Sequence, residues 1–110
     1  MLERVEEVGK LADYYGNLLS NRHREIIEMY YFQDLSLGEI SELLGMSRQG
    51  VHDLLKRAEN HLYNFEKKLE LINKNRAASE KLAELKEKMT EDPEKYADVL
   101  PILLEIIESM

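Results

Sequence analysis

The chain has 110 residues, a length that fits one domain with an appended helical arm. It contains no cysteine, which excludes disulfide bonds, thiolate metal ligands and a cysteine nucleophile and is typical of a reducing cytoplasm. Its net charge of −7 argues against tight DNA binding by a single copy, because neutralisation of phosphates supplies much of that affinity. Neither a signal peptide nor a membrane span is predicted, since no basic region followed by an apolar run opens the chain and no apolar stretch approaches about 20 residues.

Two amphipathic helices are predicted in the first third of the chain. Apolar residues recur at helical spacing over residues 1–19, and Ser20 or Asn21 is suited to cap a second helix over residues 22–32. The buried side of this second helix is predicted to hold four residues: Ile26, Ile27, Tyr30 and Tyr31. For the two tyrosines, core packing is favoured over stacking on bases, because they lie inside an apolar stripe.

A helix-turn-helix is predicted over residues 36–55. Ser36 with Glu39 three residues later is the pattern of a capping box, and Ser47 is suited to cap the next helix in the same way. Gly45 lies where the chain leaves the first helix, a position that favours a left-handed conformation. Apolar stripes follow both helices, with Ile40, Leu43 and Leu44 on the first and Val51, Leu54, Leu55 and Ala58 on the second.

The outward residues of the second motif helix are the candidate nucleic-acid site. They are Ser47, Arg48, Gln49, His52, Lys56 and Arg57. Arginine can pair with guanine and glutamine with adenine, while Lys56 and Arg57 suit phosphates. Asp53 points the same way and would repel phosphates unless it accepts from a cytosine, and Gly50 allows either close approach of a partner or room for a neighbouring helix. The alternative is that these polar residues form a solvated face on a packing unit.

The second motif helix is predicted to continue into an arm. Apolar residues from Val51 to Ile72 are spaced by four and three in alternation, which is the coiled-coil heptad. We therefore expect Leu69 to be buried in a packed interface. The stripe resumes out of phase after polar residues, which predicts either a change of packing partner or a bend near Asn75. The expected division is a helix-turn-helix domain over residues 1–72 and an arm with a C-terminal helix over residues 73–110.

The end of the chain predicts a hydrophobic helix. Asp92 and Pro93 are suited to be the cap and first turn of that helix, and Pro101 is expected to kink or restart it. Residues 99–110 are apolar nearly all round, and such a helix must be buried. A homodimer formed through this segment is the favoured prediction. The alternative is that the first helix and the arm wrap the segment within one chain.

Three motifs carry a resemblance to a known family. They are Arg22-x-Arg-Glu-Ile-Ile-x-x-Tyr-Tyr31, Asp34-Leu-Ser-Leu-x-Glu-Ile40 and Gly45-x-Ser-Arg-Gln-x-Val51. Over about residues 1–75 the chain resembles sigma factor region 4 and, more closely, the YlxM family of small bacterial helix-turn-helix proteins. The resemblance implies an all-helical fold and a link to the signal recognition particle pathway, because genes of that family lie beside those of the particle's GTPases.

Two functions follow as hypotheses from the motif and the resemblance. In the first, the protein is a cytoplasmic DNA-binding regulator. In the second, it is an accessory of the signal recognition particle that binds the particle's RNA or GTPase. Catalysis, a cofactor and a metal site are not expected. The three histidines show no repeating metal-ligand spacing, and neither a nucleophile motif nor a Gly-rich phosphate loop is present in the sequence.

Overall fold

The computed structural model describes residues 2–110, and this part of the chain consists of helices and turns, without a strand. The elements are α1 (Leu2–Tyr15) with a 3₁₀ turn (Gly16–Leu18), α2 (Asn21–Ile27) with a π-helical segment (Glu28–Phe32), α3 (Leu37–Leu44), α4 (Arg48–Leu69), α5 (Leu71–Thr90) and α6 (Leu100–Glu108). The predicted all-α helix-turn-helix bundle is confirmed. Met1, where the first helix was expected to begin, lies outside the described residues. The chain forms two compact units, Met1–Glu70 and Leu71–Met110.

Helix α4 is the centre of the Met1–Glu70 unit, because α1, α2 and α3 all pack against it. The largest fully buried side chains come from all four helices: Val8, Tyr15, Ile26, Ile27, Ile40, Val51 and Leu62. Complete burial of one such aliphatic side chain stabilises a fold by about 1.5–3 kcal/mol. One side of α4 is packed in this core, and its other side is exposed.

The segment that follows α2 departs from the predicted helix. Ser20 caps α2 as expected, its Oγ accepting from the amide of His23 at 3.3 Å, but the chain widens into a π-helical turn from Glu28. As a result Tyr30 and Tyr31 are half-buried, so their predicted core burial was wrong. The hydroxyl of Tyr31 donates to the carboxylate of Glu59 on α4.

The helix-turn-helix has the predicted caps. The Oγ of Ser36 accepts from the amide of Glu39 at 3.1 Å, and the Glu39 carboxylate accepts from the amide of Ser36 at the same distance. These hydrogen bonds lower the pKa of Glu39. Gly45 ends α3 in the left-handed region with φ of 65°, and Ser47 caps α4 by accepting from the Gly50 amide at 3.0 Å. Leu43, predicted to be buried, is instead 64% exposed.

The predicted continuous arm is interrupted. Helix α4 ends at Leu69, Glu70 adopts a left-handed conformation with φ of 54°, and α5 begins at Leu71. A left-handed residue directs the chain out of the helix, so the expected bend near Asn75 lies at Glu70 and the heptad does not run through Ile72 in one helix. Leu69, expected to be buried, is 42% exposed.

In the Leu71–Met110 unit, α5 and α6 pack together, with Met89 and Leu103 buried. The final helix was expected to open at Asp92 and Pro93, but residues 91–99 form turns, and α6 begins at Leu100. The carboxylate of Asp92 accepts from the amide of Lys95 at 3.4 Å, which stabilises a turn. Pro101 fits the first turn of α6, where no backbone amide donor is required.

Candidate nucleic-acid interface

All six predicted site residues lie on the exposed side of α4 or at its cap. Ser47 is the cap residue, and its hydroxyl is engaged with the Gly50 amide. The other five are side chains of the first three turns of α4. Val51, Leu54 and Leu55 are buried on the opposite side of α4. These five side chains therefore face outward together. The structure therefore brings the predicted residues onto one surface.

The first row of this surface holds two cations, Arg48 and Lys56, with His52 between them. The three residues are spaced by four, so they follow one side of α4 at intervals of about 6 Å. The Arg48 guanidinium lies over the start of α3, where a β-carbon on Gly38 would be 2.7 Å from Arg48 Nη2. Gly38 thus leaves the space that Arg48 occupies. We call these three residues the cationic row.

The second row consists of Gln49, Asp53 and Arg57 and is occupied by internal contacts. Nε2 of Gln49 donates to Oδ1 of Asp53 at 3.0 Å, and Nε of Arg57 donates to the carbonyl oxygen of Asp53 at 3.4 Å. Oδ1 of Asp53 also lies 3.6 Å from Nδ1 of His52. Gln49 must exchange the Asp53 carboxylate for a base before it can recognise adenine. Asp53 therefore holds Gln49, a residue predicted to read a base, in a contact within the protein.

Gly50 is explained by the turn that precedes α4. A β-carbon at this position would be 3.1 Å from Ser47 Oγ and 3.4 Å from Cε of Met46. The glycine therefore makes room for the cap and for the Met46 side chain. Met46 also accepts from Arg22, whose Nη2 lies 3.1 Å from its sulfur, so α2 supplies a further cation beside the turn. Sequence reasoning did not include Arg22 in the site.

Glu59 is a buried acid that sequence reasoning missed. Its side chain is 4% exposed; Oε1 accepts from Arg4 Nη2 at 2.7 Å, and Oε2 accepts from the Tyr31 hydroxyl. Burial and the hydrogen bond to Glu59 raise the pKa of Tyr31, and the same carboxylate raises the pKa of Arg4. The sequence does contain a signal for the burial of Glu59. This residue lies four residues after Leu55 and three before Leu62, within the apolar stripe.

His23 and His61 meet where α2 packs on α4. Their ring centroids are 5.0 Å apart. Burial lowers the pKa of His23, and the positive charges that His61 and Arg57 can carry lower it further. Within residues 2–110, no three side chains of the metal-ligating types converge.

Comparison with known families identifies the chain's relatives. Residues 2–100 match the family described as "UPF0122: Putative helix-turn-helix protein, YlxM / p13 like". The chain belongs to this family. The match confirms the resemblance inferred from the motifs and extends past residue 75, where that resemblance was expected to end.

Several family members are similar over most of their length. A UPF0122 protein of Thermoanaerobacter sp. strain X514 is 50% identical over 100 residues, which cover 91% of this chain and 84% of the relative. One from Desulforamulus reducens is 48% identical over 84 residues, covering 76% and 72% of the two chains. One from Halalkalibacterium halodurans is 38% identical over 110 residues, covering 100% and 99%.

None of the helices in residues 2–110 is long and apolar enough to cross a bilayer.

Proposed function

We propose that this protein binds nucleic acid through the exposed side of α4 and acts in the cytoplasm as a DNA-binding regulator. The observation that carries the proposal is the cationic row, which the core of a helix-turn-helix presents outward at the start of the second motif helix. In this arrangement Arg48 pairs with guanine, Gln49 with adenine, and Lys56 and Arg57 contact phosphates. Ser47 and His52 complete the surface. The proposed role is binding rather than catalysis.

A second candidate is an accessory role in the signal recognition particle, with the particle's RNA or GTPase as the partner. The charge of the chain favours it. The net charge is −7, and over residues 46–61 three basic residues oppose two acidic ones, a balance of +1. Asp53 adds an acid inside the recognition surface itself. Such a surface is weakly suited to long duplex DNA, whose binding depends on phosphate neutralisation.

Substitution of Lys56 tests the proposed face. Lys56→Ala is expected to weaken binding to every target by a similar factor and to reduce the salt slope of the binding constant by about one, because it removes one phosphate contact. Binding should be measured by gel shift and anisotropy against genomic duplexes and the particle's RNA in parallel, at several salt concentrations.

Lys81→Ala is the matched control, because Lys81 is an exposed lysine on α5. It should change neither the affinity nor the salt slope. If both variants bind as the unsubstituted protein does, the contact surface lies elsewhere. Tight binding of the GTPase with no nucleic-acid binding would favour the protein partner of the second candidate.

We also propose that α6 joins two copies of the chain. Four apolar residues spaced by three or four are about half exposed, two within α6 and one beyond each of its ends: Ile102, Ile106, Val99 and Met110. Leu103 is buried, whereas the packing of α5 and α6 within the Leu71–Met110 unit leaves this stripe uncovered. A second copy offers an identical stripe. Pairing would also bring two weakly basic recognition helices to one target.

Ile106→Glu is expected to convert the dimer to a monomer without loss of helicity, because it introduces a charge into the centre of the proposed contact. Sedimentation velocity at micromolar concentration measures the oligomeric state, and circular dichroism measures the helicity. Glu108→Lys changes a charge on the polar side of α6 and should leave the dimer intact. A monomeric unsubstituted chain at the same concentration would contradict the proposal.

A further inference from the structure

A cavity of ≈ 340 Å³ opens beside the cationic row, within the Met1–Glu70 unit. Its walls are apolar and aromatic, with Tyr30 from the π-helical segment, Leu37 from the start of α3 and Leu55 from α4. His52 and Lys56, two members of the cationic row, also line it. The cavity is therefore continuous with the face proposed to bind nucleic acid.

The lining of the cavity includes a buried carboxylate. Glu59 lines it, and each of its oxygens already accepts one hydrogen bond, from Arg4 or from Tyr31. A carboxylate oxygen has a second lone pair, so Glu59 can accept further hydrogen bonds from N–H groups. Arg4 adds a second charged cation to the lining, besides Lys56. The lining thus combines an aromatic ring, a carboxylate acceptor and two cations.

This combination selects the chemistry of the ligand. The wall formed by Tyr30 suits a flat ring, because rings stack on aromatic side chains. The carboxylate of Glu59 suits N–H donors, and the Lys56 ammonium, with an N–H of His52 beside it, suits an anion attached to the ring. A nucleotide has all three features, with a planar base, amino or imino donors on its edge and a phosphate. An acidic apolar peptide combines these features only where a tryptophan or histidine stands beside an acid, whereas each nucleotide carries all three in one unit.

We propose that the cavity receives an unpaired base of the nucleic acid bound on α4, while flanking phosphates lie on His52 and Lys56. The inference rests on the proposed nucleic-acid face and narrows its target to a strand with a bulge, loop or single-stranded nucleotide. A paired base cannot enter the cavity without leaving its stack, and this cost is smallest for a base that is already unpaired. The backbone carrying the base is RNA or DNA.

The test uses the full chain and four probes of one sequence. Two are RNA and DNA duplexes that carry a single bulged 2-aminopurine, and two are the RNA and DNA duplexes without the bulge. The bulged probe of the preferred backbone is expected to bind about tenfold more tightly than its paired form, because it alone fills the cavity. Its fluorescence should change on binding as the base stacks on Tyr30. The comparison between the RNA and DNA arms identifies the backbone.

Two aromatic variants of the same segment separate the cavity from the rest of the face. Tyr30→Leu keeps an apolar side chain but removes the ring, and it should abolish the tenfold preference for the bulge. Phe32→Leu removes an exposed ring outside the cavity and should leave the preference unchanged. Circular dichroism and thermal unfolding establish that both variants retain the fold.

The outcomes distinguish the cavity from the proposed face. Equal binding of paired and bulged probes, still weakened by Lys56→Ala, would overturn the cavity proposal and leave the face in place. A bulge preference unaffected by Tyr30→Leu would also overturn it. If neither the four probes nor the particle's RNA bind, both proposals are overturned. The partner to test next would then be an acidic, apolar segment of another protein.

Discussion

Leu62→Ala is expected to lower the free energy of unfolding by about 2–5 kcal/mol. The Leu62 side chain is fully buried on α4, where α1 and α2 pack, and its loss leaves a cavity that close-packed neighbours fill only in part. Urea unfolding of the full chain followed by circular dichroism measures the change. The same substitution should disturb the orientation of α4 and weaken any binding through its exposed side.

Leu69→Ala is the control, because it deletes the same atoms seven residues later on the same helix. Leu69 is 42% exposed at the end of α4, so its loss should be about 1 kcal/mol or less. This reverses the sequence-based expectation of a large loss at this position. Equal losses at the two positions would mean that the heptad continues into an interface that a single chain does not contain.

Arg48→Ala is expected to weaken specific binding by about 5- to 150-fold, which corresponds to about 1–3 kcal/mol for a bidentate contact with guanine. Arg48 is the first residue of α4, which in a helix-turn-helix is the end nearest the base edges. Anisotropy titration of the preferred target, and of versions with single base changes, measures the loss. Discrimination at one guanine should disappear together with the affinity.

Gly38→Ala provides a second variant that retains the charge. A β-carbon at this position would approach Arg48 Nη2 to 2.7 Å, so the guanidinium must move, while α3 gains a residue that favours helix. Specific binding should fall without a loss of stability. Arg76→Ala, an exposed arginine on α5, should change neither property. A loss with Arg48→Ala that is uniform over all base changes would assign Arg48 to a phosphate instead.

Features that depend on neighbouring residues could be predicted from the sequence. The capping box of Ser36 and Glu39 requires side chains three residues apart, and the left-handed Gly45 requires the absence of a β-carbon. The exposed position of Arg48, Lys56 and the other site residues followed from helical periodicity, because the opposite side of the helix is apolar. Local chemistry alone specifies these elements.

Features that depend on distant contacts or on a costly local conformation could not be predicted. Glu70 ends α4 in a left-handed conformation that glutamate rarely adopts, and neither glycine nor proline marks the break. The contact of Glu59 with Tyr31 joins residues 28 positions apart, and the π-helical segment that positions Tyr31 has no simple sequence pattern. The cavity depends on the same contacts and was invisible to helical periodicity for that reason.

The division of α4 into a buried side and an exposed side has a consequence for divergence within the family. The residues that pack the core and those proposed to face a target alternate along one helix. No residue belongs to both sets. Substitutions at exposed positions such as Gln49 and His52 typically change stability by no more than about 0.5 kcal/mol. Target preference can therefore drift between species while the fold is preserved, and homologues with matching cores need not recognise the same ligand.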